Sequence, residues 1–217
     1  MKKFDFYEFT GILIPGVVIL YTVSMIIPEL SFLAHNQAVS VGDLGLFVVL
    51  SYVAGHLIQA FGNILEQIFW SLNCGIPSDW PRTRKKFLLT DDQTAKLETR
   101  TQKLLDLDPS TTISTLSKRE WSAITRQIYA VVQSANKSQR IDTFNGNYGM
   151  FRGIGSAFLL CSVLSLFTLP QGWKVLVVFL ACAALSFYRM HRFGVHYARE
   201  LFVQFLQIGS VSQKEEK

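Results

Sequence analysis

Three stretches of this chain, residues 9–28, 44–65 and 153–173, each run for twenty or more residues without Asp, Glu, Lys or Arg. A helix needs about 20 apolar residues to cross the ~30 Å hydrocarbon core of a bilayer. Backbone in lipid must satisfy its own hydrogen bonds, which makes each run a helix. A fourth gap, 175–188, holds fourteen residues. At 1.5 Å per residue it covers about 21 Å, and it spans if Lys174 and Arg189 snorkel outward from its ends. Composition agrees, with 49% hydrophobic and 17% charged residues in 217, against roughly 25% charged in an ordinary globular domain. The apolar start is not expected to act as a signal peptide, because Asp5 and Glu8 sit where such a leader carries only positive charge. The expected fold is all-α: a polytopic membrane protein with four transmembrane helices and a mostly helical cytoplasmic module between the second and third.

The chain divides into residues 1–72 (helices 1 and 2), 73–150 (the module) and 151–217 (helices 3 and 4 with a basic amphipathic tail). Orientation follows from the loop charges. Residues 29–43 contain no Lys or Arg, whereas 73–151 carries twelve basic residues against eight acidic ones, a net of +4. The positive-inside rule then places both termini and the module in the cytoplasm. Most of the basic balance is topogenic, so nucleic acid is a disfavoured partner. Cys74, Cys161 and Cys182 lack metal-ligand spacing. No metal and no cofactor are expected, and the familiar catalytic signatures are missing from the sequence.

The module opens with turn chemistry from Cys74 to Pro81. Arg82, Arg84, Lys85 and Lys86 follow, read as an anchor on anionic lipid headgroups at about 1 kcal/mol per basic residue. Asp91 and Asp92 are expected to cap a helix reaching residue 107. Ser117 and Glu120 fit a capping box. Behind them Trp121, Ile124, Ile128, Val131, Val132 and Ala135 share one stripe that must bury against something. The glycine- and asparagine-rich 143–149 reads as a turn leading into the third span, with Arg152 at the interface.

Pro15-Gly16 predicts a kink or break in the first span. The second carries a polar stripe: Tyr52, His56, Gln59, Asn63 and Glu66 fall within about 80° on a helical wheel. Gly55 and Gly62 on an adjoining face would let backbones approach closely. Polar groups have no partners in lipid, so the stripe should face the bundle interior, another subunit or a water-filled cavity. Helix packing and oligomerisation is the favoured reading, ahead of a water-lined vestibule, and a homo-oligomer is expected.

After the fourth span, Arg189, Arg192, His196 and Arg199 share one face, with Leu201, Phe202 and Phe205 turned away. This is a basic amphipathic extension suited to a membrane surface or to subunit packing. Arg189 and His196, with six residues between them, also meet the loose Arg-x(4–6)-His spacing of the HEPN ribonucleases, although Met190 stands where those enzymes carry a polar residue.

As a whole, Phe4 to Gly16, the Gly55-His-Leu-Ile-Gln59 polar span and Arg192 to Leu201 resemble small four-span bacterial inner-membrane proteins that accompany antiphage defence systems, of the CRISPR-accessory and Kiwa types. The resemblance implies a bacterial inner membrane and a defence role, and assigns no site residues. The functional expectation is a non-enzymatic oligomeric component of a defence or stress response, docking a cytosolic protein partner and anchoring it or perturbing the membrane. A small-solute channel or transporter and a membrane-tethered HEPN-like ribonuclease are the alternatives.

Overall fold

The computed structural model describes residues 6–27, 41–84, 87–105, 108, 111–168 and 172–215. Lys85 and Lys86 of the expected headgroup anchor lie outside them, as do the end of the first span and its following loop. The described residues are helical throughout their regular structure: α1 Phe6–Ile26, α2 Val41–Leu72, α3 Trp80–Thr83, α4 Asp91–Leu105, α5 Lys118–Ser134, α6 Gln139–Thr168 and α7 Gly172–Glu215. Among them, Val41–Leu72, Gln139–Leu166 and Gly172–Ile208 are long and apolar enough to cross a membrane. The apolar part of α1, Phe9–Met25, is shorter.

The chain forms two compact units. The first comprises Met1–Ile68 and Gly146–His191, the second Phe69–Asn145 and Arg192–Lys217. The basic tail thus groups with the middle segment.

In the first unit, Ile19, Ile58, Ala157 and Cys161 form a buried cluster flanked by Val18, Ala54, Leu160, Leu164 and Phe179. Small residues set the helix spacing. A side chain on Gly16 would run into the Ser51 carbonyl, and one on Gly55 into the Ile12 carbonyl, so α1 and α2 touch backbone to backbone. Gly62 lies against Ser156 and Arg152 of α6. Buried hydroxyls mostly fold back on their own helix: Thr22 donates to the Val18 carbonyl, Ser156 to Arg152 and Ser186 to Cys182, at 2.7–2.9 Å. Pro15 is buried inside α1, which continues unbroken to Ile26. The expected break does not occur, for a reason that the site supplies.

The second unit is built around α5. Its capping box forms, with the Glu120 amide donating to Ser117 Oγ at 3.2 Å and the Ser117 amide to Glu120 Oε2 at 2.8 Å. Trp121, Ile124, Ile128 and Val132 are buried. Trp121 is covered by the far end of α7. Leu201, Phe202 and Phe205 are fully buried, and Phe202 stacks on Trp121 with ring centroids 5.9 Å apart. The apolar face of the tail is therefore part of this core and not free for a membrane surface. The Trp121 indole donates to the Ser78 carbonyl at 2.7 Å. Arg100 lays its guanidinium 4.4 Å from the Phe205 ring and donates to the Leu206 carbonyl; burial lowers its pKa.

Two local expectations change. The cap of α4 is Thr90, whose Oγ1 accepts from the Gln93 amide while Gln93 accepts from the Thr90 amide. Asp91 and Asp92 follow as first-turn acids. The helix is described as far as Leu105, and its expected end at 107 lies outside the described residues. The 143–149 segment is helical, because α6 starts at Gln139 and runs through it. Ser138 and Asp142 secure that start with a side-chain hydrogen bond of 2.9 Å and a backbone one of 2.9 Å. The expected turn at Cys74 does form: Cys74 and Gly75 take φ of 67° and 87°, and the Gly75 amide closes on the Trp70 carbonyl.

Candidate functional site

Proline has no amide hydrogen, so Pro15 leaves the Gly11 carbonyl four residues earlier without its helical donor. Gln59 of α2 supplies one: its Nε2 donates to the Gly11 carbonyl at 2.8 Å and to the Gly149 carbonyl of α6 at 3.2 Å. Its Oε1 accepts from Arg152 Nη2 at 2.9 Å. Arg152 Nη1 pairs with Glu66 Oε2 at 2.5 Å, and the Tyr148 hydroxyl donates to Glu66 Oε1 at 2.6 Å. One side chain on Gly153 would collide with both Gln59 and Pro15. The result is a polar chain linking α1, α2 and α6 within the first unit. Arg152 and Glu66 are only 20% and 18% exposed, which makes the pair costly to break. Arg152 Nε and Ser51 Oγ are buried without a partner.

The polar stripe of α2 divides along its own midline. At about 100° per residue, Gln59 and Glu66 lie about 20° and 40° to one side of Tyr52, and Asn63 and His56 as far to the other. The first pair turns inward into the network. Tyr52, His56 and Asn63 are exposed, beside the exposed apolar Val53, Leu57 and Ile64. Tyr52 keeps ring contacts with Phe9 at 6.0 Å and His56 at 4.7 Å. Arg152 and Tyr148 were not read as stripe partners. The available signal was charge placement: Glu66 directly follows one charge-free run and Arg152 directly precedes another.

The expected basic face is placed as follows. Arg189 is exposed, with its guanidinium 5.3 Å from the Phe151 ring in the first unit. In the second unit Arg192 is exposed, and Arg199 Nε donates to the Leu88 carbonyl at 3.3 Å. His196 stacks on Phe144 at 5.5 Å, and Arg140 sits over the same ring at 5.5 Å while reaching Glu200 at 3.8 Å. His196 lies beyond the charge-free 175–188 stretch. Burial lowers its pKa first, then Arg192, Arg199 and Arg140, against an opposing pull from Glu200. On the headgroup-anchor segment, Arg82 is already engaged. It pairs with Asp79 at 2.7 and 2.9 Å and donates to the Leu116 carbonyl. Arg84 is exposed in a left-handed conformation, φ 52°. It lines a pocket of about 260 Å³ with Trp80, Leu88, Leu89 and the exposed Phe87. Among the described residues no His, Cys, Asp and Glu cluster could hold a metal ion.

No family model, curated protein or solved structure matches the chain.

Proposed function

We propose that this chain is a non-enzymatic, four-span bacterial inner-membrane protein that works as an oligomer in a defence or stress response. Its second unit and both termini lie in the cytoplasm, where that unit docks a cytosolic partner. The observation that carries the oligomer is the division of the α2 stripe. Gln59 and Glu66 find partners within the chain, whereas His56 and Asn63 stand on the exposed flank of an apolar helix. Polar side chains there have no partners in lipid, and a second copy supplies them. The test is the mass of the protein in lipid nanodiscs, for wild type and for His56→Leu/Asn63→Leu. A defined oligomer that falls apart in the double variant supports the reading. A wild-type monomer overturns it.

The same exposed pair favours one second reading, a channel whose axis His56 and Asn63 line. Conductance that Asn63→Leu removes while the oligomer survives would select it. Self-closure of the Glu66 network weighs against a pathway through a single subunit. The ribonuclease reading gains no such support, since His196 is packed on Phe144.

A further inference from the structure

The apolar side of the α7 tail is spent in the second unit's core, yet its opposite side gathers charge with no matching counter-charge. Arg192 and Arg199 lie on one face of α7, and Arg140 comes from α6 to the same imidazole. Glu200 is the carboxylate beside them, pairing with Arg140 at 3.8 Å and accepting from Gln204 at 2.9 Å. Three guanidiniums against one carboxylate leave a net of +2 around His196. Like charges held together cost stability, and a bound anion relieves that cost. Arg192 makes no hydrogen bond or ion pair among the described residues, and the Arg140 side chain is 71% exposed. Arg199 uses only its Nε on the protein, which leaves its terminal nitrogens for a ligand.

The platform beneath these groups is aromatic. Phe144 carries Arg140 above its ring and stacks with His196, and Phe193 approaches it at 6.3 Å. Stacking on Phe144 orients the histidine ring before any ligand arrives, which lowers the ordering cost of binding. We propose that Arg140, Arg192, Arg199 and His196 form a binding site for a ligand carrying more than one phosphate group. Arginine's planar fork matches phosphate oxygens in bidentate fashion. Seven residues of helix separate Arg192 from Arg199 by about 10 Å along the axis, too far for one phosphate to sit squarely between them and suited to a diphosphate. The site goes beyond the docking role proposed above, and it stands whether or not the chain is an oligomer.

The experiment uses the full chain in nanodiscs of pure phosphatidylcholine, labelled at its four histidines, with the His196 signals identified from His196→Gln. Inorganic pyrophosphate is titrated in and the His196 side-chain resonances are followed. The expected result is a saturable shift that weakens at least tenfold in Arg192→Gln and recovers partly in Arg192→Lys. Arg192 is exposed, so neither variant threatens the fold. A parallel series replaces part of the phosphatidylcholine with cardiolipin, a lipid with two phosphates. A response to pyrophosphate identifies a free phosphate ligand. A response to cardiolipin alone identifies a lipid headgroup as the source of the same chemistry. If neither moves the His196 signals, or if Arg192→Gln leaves the response unchanged, the proposal is wrong. Oligomer mass, read on the same samples, reports separately on the proposed function.

Discussion

Gln59→Leu should destabilise the protein, and the loss should depend on whether residue 15 is proline. The substitution keeps the approximate length of the side chain and removes three hydrogen bonds: to the Gly11 carbonyl at 2.8 Å, to the Gly149 carbonyl at 3.2 Å and from Arg152 at 2.9 Å. At about 1 kcal/mol for a neutral bond and about 1.5–3 for one to a charged group, the losses reach about 3–5 kcal/mol. Interhelical bonds in membranes average about 0.6 kcal/mol, so about 2–3 kcal/mol is the realistic range. Within that sum the Gly11 contribution is special. It exists because Pro15 brings no amide hydrogen, and Pro15→Ala restores a helical donor to that carbonyl. Gln59→Leu should therefore cost about 1 kcal/mol less in the Pro15→Ala background than in the wild type. A double-mutant cycle isolates this coupling from the packing change that each substitution brings on its own. Reversible unfolding in lipid bicelles, followed by tryptophan fluorescence, gives the four stabilities. An equal cost in both backgrounds would show that Gln59 does not stand in for the missing proline amide.

Glu66→Ala leaves the buried Arg152 guanidinium with only Gln59 and should cost at least about 3 kcal/mol; Glu66→Leu/Arg152→Leu, which removes both charges, should recover much of that in the same assay. Gly55→Ala drives a methyl group into the Ile12 carbonyl and should sharply lower the thermal midpoint. Gly45→Ala, in the same helix with nothing within 4 Å, should be neutral or raise stability by about 0.4–1 kcal/mol. Ser117→Ala should cost about 1 kcal/mol through the lost cap of α5. Its two hydrogen bonds, side chain first, lower the pKa of Glu120. That contribution is present above the ordinary glutamate pKa and fades as pH falls through the lowered native value, so the gap between the denaturant midpoints of wild type and Ser117→Ala should narrow in acid without closing, because the Glu120 amide bond to Ser117 Oγ does not titrate.

What was legible in the sequence was whatever a single helix decides for itself. The charge-free runs marked the apolar helices, and Ser117–Glu120 marked the start of α5 because a capping box needs only neighbours three residues apart. The burial of Trp121, Ile124, Ile128 and Val132 followed from periodicity, but the ring that covers Trp121 did not. Phe202 lies some eighty residues on, and the spacing of Leu201, Phe202 and Phe205 fits an interfacial helix as well as a core-facing one. The 143–149 segment failed for the opposite reason. Glycine and asparagine are poor helix formers alone, by at most about 1 kcal/mol per residue, and tertiary packing overrides a preference of that size.

The polar network shows most plainly why local reading stops short. A proline inside α1, a glutamine in α2 and a glycine in α6 each look like a defect in its own helix. Taken together they interlock: Pro15 frees a carbonyl, Gln59 reaches it, and Gly153 leaves the room for both. A helical wheel gives the angles among Tyr52, His56, Gln59, Asn63 and Glu66, but not the line along which neighbouring helices divide them. That line is drawn by Pro15 and Arg152, on other helices. Sliding α2 by one turn would leave the Gly11 carbonyl unsatisfied and Arg152 unpaired at once. The same residues that resist sequence reading therefore fix the register of the bundle, which a seam of leucines and valines alone would leave free to slip.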